Sequence, residues 1–259
     1  MKADIIILSR GERGLIYRCL DSIKEHVPEE NLGTVYIGWN GPSEDKEKVV
    51  KLCKDRGLDY TLKEMPYHYS KNTNELARLC KNEALLLLND DVALLDDFVP
   101  KGLRFLENPN VGTVGCKLVR PDKSIQHAGV LVAVDAAGRF VGAAHIAYNQ
   151  PDRPMGDLAP VANTAACMLV GREYFLSMGG MNEDYKERFQ DLEQGLAAVV
   201  DGKTNICLAS CTELHDESQS SSSKPLEEDF SRVAKFFDYH IADFMASINP
   251  SVQWMRRMK

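Results

Sequence analysis

Along the first half of the chain, short apolar runs alternate with segments whose apolar residues recur at helical spacing. Ile5 to Leu8 is a continuous apolar run, as a strand buried on both faces requires. Leu15 to Ile23 carries Leu15, Cys19, Leu20 and Ile23 at helical intervals. Val35 to Trp39 reads as a second strand, and Asn40-Gly41-Pro42-Ser43 punctuates before a helix over Glu44 to Cys53. A short strand over Leu58 to Leu62, a helix over Asn74 to Leu79 and a buried strand over Ala84 to Leu88 follow. This β-α-β-α-β rhythm predicts an α/β fold with a mostly parallel central sheet flanked by helices.

Past Pro100 the rhythm changes. Val111 to Val119 and Gly129 to Val134 read as strands, and Gly138 to Pro160 as a long loop. Val161 to Val170 is apolar, and Arg172 to Met178 and Gln190 to Val200 have helical patterns. Ser218 to Ser223 is nearly all serine and reads as a mobile loop or linker. Leu226 to Met245 is amphipathic, with Phe230, Val233, Phe237, Ile241 and Phe244 on one face that suits the core or a subunit interface.

Composition narrows the field. The chain has 259 residues, a formal net charge of −7 and 44% hydrophobic residues. An acidic balance lacks the basic footprint of a nucleic-acid binder. The seven cysteines form no Cys-x-x-Cys pair, which points to free buried thiols in a reducing compartment. The opening apolar run is too short for a signal or membrane span, so a cytoplasmic location is expected. The basic tail Trp254 to Lys259 suggests peripheral membrane contact at most.

Open parallel sheets bind ligands beyond the carboxyl ends of their strands. Candidate chemistry is therefore sought after Leu8, Trp39 and Leu88. Leu85-Leu86-Leu87-Leu88-Asn89-Asp90-Asp91-Val92 ends a buried strand in two carboxylates. Asp91 there is either a ligand for Mg²⁺ or Mn²⁺ or a cap for a helix near Leu94. His215, in Glu213-Leu214-His215-Asp216-Glu217-Ser218, is either a surface histidine or the completion of an oxygen-rich metal site. Asp191 and Glu193 open a helix, where they serve its dipole or supply a general base.

In order and spacing, these segments resemble glycosyltransferase family 2, the inverting enzymes with a GT-A fold, and particularly bacterial rhamnosyltransferase-like members that build surface polysaccharides. The matching stretches run from Tyr69-Ser70-Lys71-Asn72-Thr73-Asn74 through Leu88 to Val92, Val111 to Leu118 and Ile125 to Val130, then Thr164 to Val170, Gly179 to Glu183 and Leu214 to Ser218. The resemblance spans roughly Ala3 to Ser221 and implies a GT-A domain over 1–224 with a helical extension over 225–259. It implies metal binding by Asp91 and His215 and catalysis by Asp191. It implies donor contacts from Ser9, Glu12, Trp39, Asn40, Lys71, Asn74, Asn89 and Asp90. The implied cofactor is Mn²⁺ or Mg²⁺, the implied donor a UDP- or dTDP-sugar, and the implied acceptor a hydroxyl of a glycan or lipid-linked glycan.

Three positions depart from the family pattern. Trp39 stands where an Asp beside the nucleobase is usual, Gln190 precedes Asp191 in place of Glu or Asn, and Ala197 replaces a later arginine. An indole can stack on a base but cannot replace a carboxylate's hydrogen bond. These departures sustain a rival reading, a catalytically dead nucleotide- or sugar-binding module. A nucleotidyltransferase is a third, but Ser9-Arg10-Gly11-Glu12-Arg13-Gly14 lacks P-loop spacing. Gln126 and His127 fall in a family-like turn and read as structural hydrogen-bonding residues.

Overall fold

The computed structural model describes residues 1–216 and 226–248, and the side chains of all but the last four of these. The serine run over 218–223 and the basic tail over 254–259 lie outside the described residues.

The chain alternates β1 (Ala3–Ser9), α1 (Leu15–His26), β2 (Leu32–Trp39), α2 (Ser43–Asp55), β3 (Tyr60–Glu64), α3 (Tyr69–Leu79) and β4 (Ala84–Asn89). Then come β5 (Val92–Ala93), α4 (Phe98–Leu106), β6 (Val111–Val119), β7 (Ile125–His127), β8 (Val130–Val134) and β9 (Phe140–His145). The last are β10 (Cys167–Gly171), α5 (Arg172–Ser177), α6 (Gln190–Val200), β11 (Thr204–His215) and α7 (Glu227–Ile248). The main sheet has the order β3-β2-β1-β4-β10-β6-β11-β5, with β7 on β6. β10 runs antiparallel between β4 and β6, while β1 to β4 pair in parallel with one another and β6 pairs in parallel with β11. The result is a mixed sheet flanked by helices, with the strand ends of β1, β2 and β4 on one side.

Two-residue periodicity explains why the central strands read as unbroken apolar runs. Ile5, Ile7, Leu86 and Leu88 pack one way against α1, α2 and α4, through residues such as Leu20, Val49 and Phe98. Ile6, Leu8, Leu85 and Leu87 pack the other way against α3 and α5, through Leu76 and Phe175. Both faces are buried, so alternation vanishes. The amphipathic stripe of α7 is likewise used. Val233, Phe237 and Phe244 are buried with Val130, Phe140, Leu192 and Leu196 in a third cluster beneath α6 and the β8–β9 hairpin.

Two expectations need correction. Gly138 to Pro160 is not loop throughout, since Phe140–His145 forms β9 and pairs antiparallel with β8. The small residues Gly142, Ala143 and Ala144, of which the two alanines are exposed, hide that strand from a hydrophobicity pattern. No helix begins near Leu94 either. Val92–Ala93 joins the sheet beside β11, and α4 starts at Phe98 with Asp97 before it, so Asp91 is not a helix cap.

Candidate active site

Strand register brings the site together. β5 pairs antiparallel with β11, placing His215 opposite Val92 and Leu214 opposite Ala93. The Asp216 amide donates to the Asp91 carbonyl at 3.0 Å. Asp91 and His215 thus become neighbours. His215 Nε2 lies 3.0 Å from Asp91 Oδ1, and both side chains are buried. His215 Nδ1 faces Gln126 Oε1 at 2.6 Å. An amide oxygen only accepts, so Nδ1 donates and Nε2 is the nitrogen left facing the carboxylate. Arg18 from α1 ion-pairs with Asp216 and braces the same strand end.

The segment carrying the acids is fixed from below. Cys19 Sγ donates to the Asn89 carbonyl at 3.6 Å, and Ser22 Oγ accepts from the Leu94 amide at 3.0 Å. The Asn89 amide donates to Ala166 at 2.8 Å. At the end of β1, Ser9 Oγ donates to Asp90 Oδ2 at 2.6 Å and accepts from the Gly11 amide at 3.0 Å. Burial pushes the Asp90 carboxyl up to about 6, against the opposing Ser9 hydrogen bond and with the charges of Asp91 and Glu12 adding to the rise. Ser9, Glu12, Asp90, Asp91 and His215 therefore form one electrostatic unit beyond the ends of β1 and β4.

Asp191 stands on the first turn of α6. Its Oδ2 accepts from the Ala165 amide at 3.1 Å and its Oδ1 from the Leu192 amide at 2.9 Å. The helix is seated by Gly195, where a Cβ would lie 2.3 Å from the Ala162 Cβ. Asn205 ties the same layer together, donating to Val161 and Gly195 carbonyls at 2.6 and 2.9 Å. Tyr69 links the two halves. Its hydroxyl donates to the Ala165 carbonyl at 3.1 Å. Burial raises its phenol well above the usual range, with Tyr67, Asp191 and Asp91 adding to the effect.

Several expected residues are placed elsewhere. Trp39 is 1% exposed, donates to the Gly41 carbonyl at 3.0 Å and is roofed by Gly11, where a Cβ would lie 2.9 Å from the indole. The buried indole is thus packed against the turns that follow β1 and β2, where the family resemblance expects a donor contact. Asn74, expected as a donor contact, is engaged within the fold. Its amide donates to the Met181 carbonyl and Glu183 Oε1 and accepts from the Met181 amide, so it staples α3 to the 180–183 turn. Glu193 is likewise a fastener, accepting from Asn182 and Tyr185. Asn40 and Lys71 are exposed, at the end of β2 and on the first turn of α3, and Asn89 is half-buried. Gln190, which precedes Asp191, is nearly buried. The sequence assigns no site role to Tyr67, two residues before α3, to Tyr69, the first residue of α3, or to Arg10, whose guanidinium sits 4.0 Å over the Tyr67 ring. Gln126 makes a structural hydrogen bond, but its partner is His215.

The donor set at Asp91 and His215 suits a hard-to-borderline divalent cation, being one carboxylate oxygen and one imidazole nitrogen with no thiolate. The outward hydrogen bond from Nδ1 to Gln126 fixes which nitrogen is presented, as metal-binding histidines require. Among the described residues, Asp96, Asp97 and Cys211 also converge. There the ammonium of Lys101 already contacts all three, and burial raises the Cys211 thiol to about 11. That cluster is an ion pair rather than a metal centre.

The glycosyl transferase family 2 profile matches residues 4–135. The chain belongs to glycosyltransferase family 2. It is 28% identical over 228 residues to the O-antigen biosynthesis protein RfbC of Myxococcus xanthus, covering 85% of this chain and 18% of that one. It is 30% identical over 254 residues to the protein y4gI of Sinorhizobium fredii, covering 91% and 26%. The chain thus spans about a fifth to a quarter of these relatives' length. Among solved structures, GalNAc-T7 with UDP, GalNAc and Mn²⁺ superposes with a TM-score of 0.71 at 12% identity, covering 95% of this chain and 51% of that one. The mannosyltransferase PcManGT of Pyrobaculum calidifontis, in complex with GDP-Man and Mn²⁺, gives 0.62 at 14% identity, covering 95% and 72%. S. aureus TarS 1-349 gives 0.63 at 10% identity, covering 98% and 68%. At these identities the superpositions establish the GT-A-like fold alone. Among the described residues, no helix is long and apolar enough to cross a membrane.

Proposed function

We propose that this domain is a metal-dependent, inverting hexosyltransferase that moves a sugar from a UDP- or dTDP-linked donor to a hydroxyl of a glycan or lipid-linked glycan during surface polysaccharide synthesis. The observation that carries the reading is the convergence of Asp91 Oδ1 and His215 Nε2 at 3.0 Å, beside Ser9 and Asp90 at the strand ends. A Mn²⁺ or Mg²⁺ ion held there would neutralise the charge on the departing nucleoside diphosphate. The rest of the chemistry belongs to Asp191. Its carboxylate is oriented by the Ala165 and Leu192 amides, leaving lone pairs to take the proton from the acceptor hydroxyl. The acceptor oxygen bonds to the anomeric carbon as the bond to the diphosphate oxygen breaks, and the configuration inverts. Ser9, Glu12 and Asp90 line the donor side. The presence of UDP, GDP and Mn²⁺ with the superposed transferases supports a nucleotide-sugar donor. The similarity to RfbC supports a polysaccharide acceptor.

The test is a thermal-shift screen of UDP-, GDP- and dTDP-sugars with and without Mn²⁺. A ligand specific for the native state stabilises it by about 2.7 kcal/mol at a hundred times its Kd. Stabilisation that needs metal and disappears in Asp91→Ala supports the reading. The departures at Trp39, Gln190 and Ala197 favour the rival, a binding module without turnover. Stabilisation without any release of nucleoside diphosphate would establish that rival.

A further inference from the structure

The segment leading into α6 is held by the C-terminal helix. Asp229, on the first turn of α7, is fully buried. Its Oδ1 accepts from the Lys186 amide at 2.9 Å, and its Oδ2 accepts from the Glu187 amide at 2.9 Å and the Arg188 amide at 3.1 Å. Three consecutive backbone donors converge on one carboxylate, a set of charge-assisted bonds stronger than neutral ones. Arg232, one turn on, donates to Asp184 at 3.1 Å and lies over the Tyr185 ring.

What this grip holds is strained. Phe189, the residue before α6, has φ 76°, a left-handed conformation that a bulky aromatic side chain rarely adopts. Phe189 has no side-chain oxygen to cap the helix. Such a conformation persists only where the surroundings over-determine it. Asp229 fixes the three residues before it, Phe230 packs its ring against Phe189, and Glu193 fastens Asn182 and Tyr185 from the other side. Asp191 follows two residues later.

We propose that Asp229 is a positioning residue for the active site: through the 186–188 backbone it sets the start of α6 and hence the aim of the Asp191 carboxylate. The catalytic consequence rests on Asp191 being the base, as argued under Proposed function. On this view α7 is part of the catalytic machinery, because a helix 38 positions downstream in sequence holds the turn that carries the base.

Two readouts test the coupling without activity. In Asp229→Asn, and more strongly in Asp229→Ala, hydrogen exchange of the 186–188 amides should quicken by about tenfold or more. The Ala165 amide, which donates to Asp191, should quicken with them, while amides of β1 and β4 stay protected. Unchanged Ala165 protection overturns the coupling. Kinetics then read the consequence, as nucleoside diphosphate release from UDP-glucose, GDP-mannose and dTDP-rhamnose with Mn²⁺. The Asp229 variants should lower kcat by up to about a hundredfold, the scale of a misplaced catalytic group, with little change in donor KM. In an Asp191→Asn background the same substitutions should cost nothing further, because groups acting as a unit are non-additive. An additive loss overturns the proposal, since it means a general structural defect. Should Asp191→Asn keep the wild-type rate, the base assignment falls, and the catalytic role of Asp229 falls with it. The exchange data would still report the clamp. Asp229→Asn keeps one acceptor oxygen and separates these outcomes from misfolding.

Discussion

Asp91 and His215 are 124 residues apart in sequence and meet at 3.0 Å, His215 Nε2 to Asp91 Oδ1, because β5 and β11 pair through only two residues each. A shift of one residue in that short ladder would turn the imidazole to the other face of the sheet. Gln126, from the strand pair β6–β7, supplies the second constraint by holding Nδ1.

The first prediction concerns that constraint. Gln126→Ala should weaken Mn²⁺ binding about 10- to 100-fold, the usual cost of losing a partner behind a metal-binding histidine. Asp91→Ala should abolish it. Isothermal titration with Mn²⁺ in the presence of UDP measures both. Equal affinity in wild type and Asp91→Ala would remove the metal site from this position.

The second prediction separates binding from chemistry. Asp191→Asn should lower kcat by about 10²–10⁴-fold, the range for a general base, and leave donor affinity near the wild-type value. Steady-state kinetics with a nucleotide assay reads both. A fall in donor affinity alone would make Asp191 a binding residue.

A third prediction follows from Glu213, which is buried on β11. Its Oε2 accepts from the Leu95 amide and its Oε1 has no hydrogen-bond partner among the described residues. Burial pushes its carboxyl up to about 8, with nearby Asp96 and Asp97 adding to the rise and the Leu95 amide opposing it. The folded value lies above the ordinary 4.5, so the native state holds this proton more tightly than the unfolded chain. The stability it contributes is complete below about pH 4.5 and is lost as pH rises through about 8. The full span is on the order of 5 kcal/mol as an upper limit. Glu213→Gln should flatten the fall in Tm between pH 5 and 9 and raise Tm at pH 9. An unchanged slope would show that Glu213 is ionised in the native state.

The fourth prediction distinguishes a staple from a ligand contact. Asn74→Ala leaves the Met181 amide and carbonyl without their partner, at about 1–3 kcal/mol for each buried group. Denaturant unfolding should show a loss of roughly 2–4 kcal/mol, with donor KM unchanged for the folded enzyme. A raised KM at unchanged stability would restore Asn74 to the donor site. Gly180→Ala should behave alike, since its φ is +80° and a Cβ would lie 2.2 Å from Asn74 Oδ1.

Local sequence determined the elements whose signals are local. The apolar run Ile5 to Leu8, the leucines before Asn89, the helix over Gln190 to Val200 and the stripe from Phe230 to Phe244 each record the burial of one segment. Their order is enough to define the fold class, and the two acids after Leu88 mark a strand end that gains nothing from charge in a core. Partnership is not local. Whether Asp91 caps a helix or faces an imidazole depends on the β5–β11 register, which two residues on each strand decide. Whether Trp39 meets a ligand or the core depends on Gly11 folding over it from another turn. Asn74 and Glu193 stand at the starts of predicted helices and nothing in the sequence singles out Asp229, yet each is committed to backbone or side-chain partners outside its own turn. A buried polar group must find such partners, and only the packed chain decides which ones are within reach.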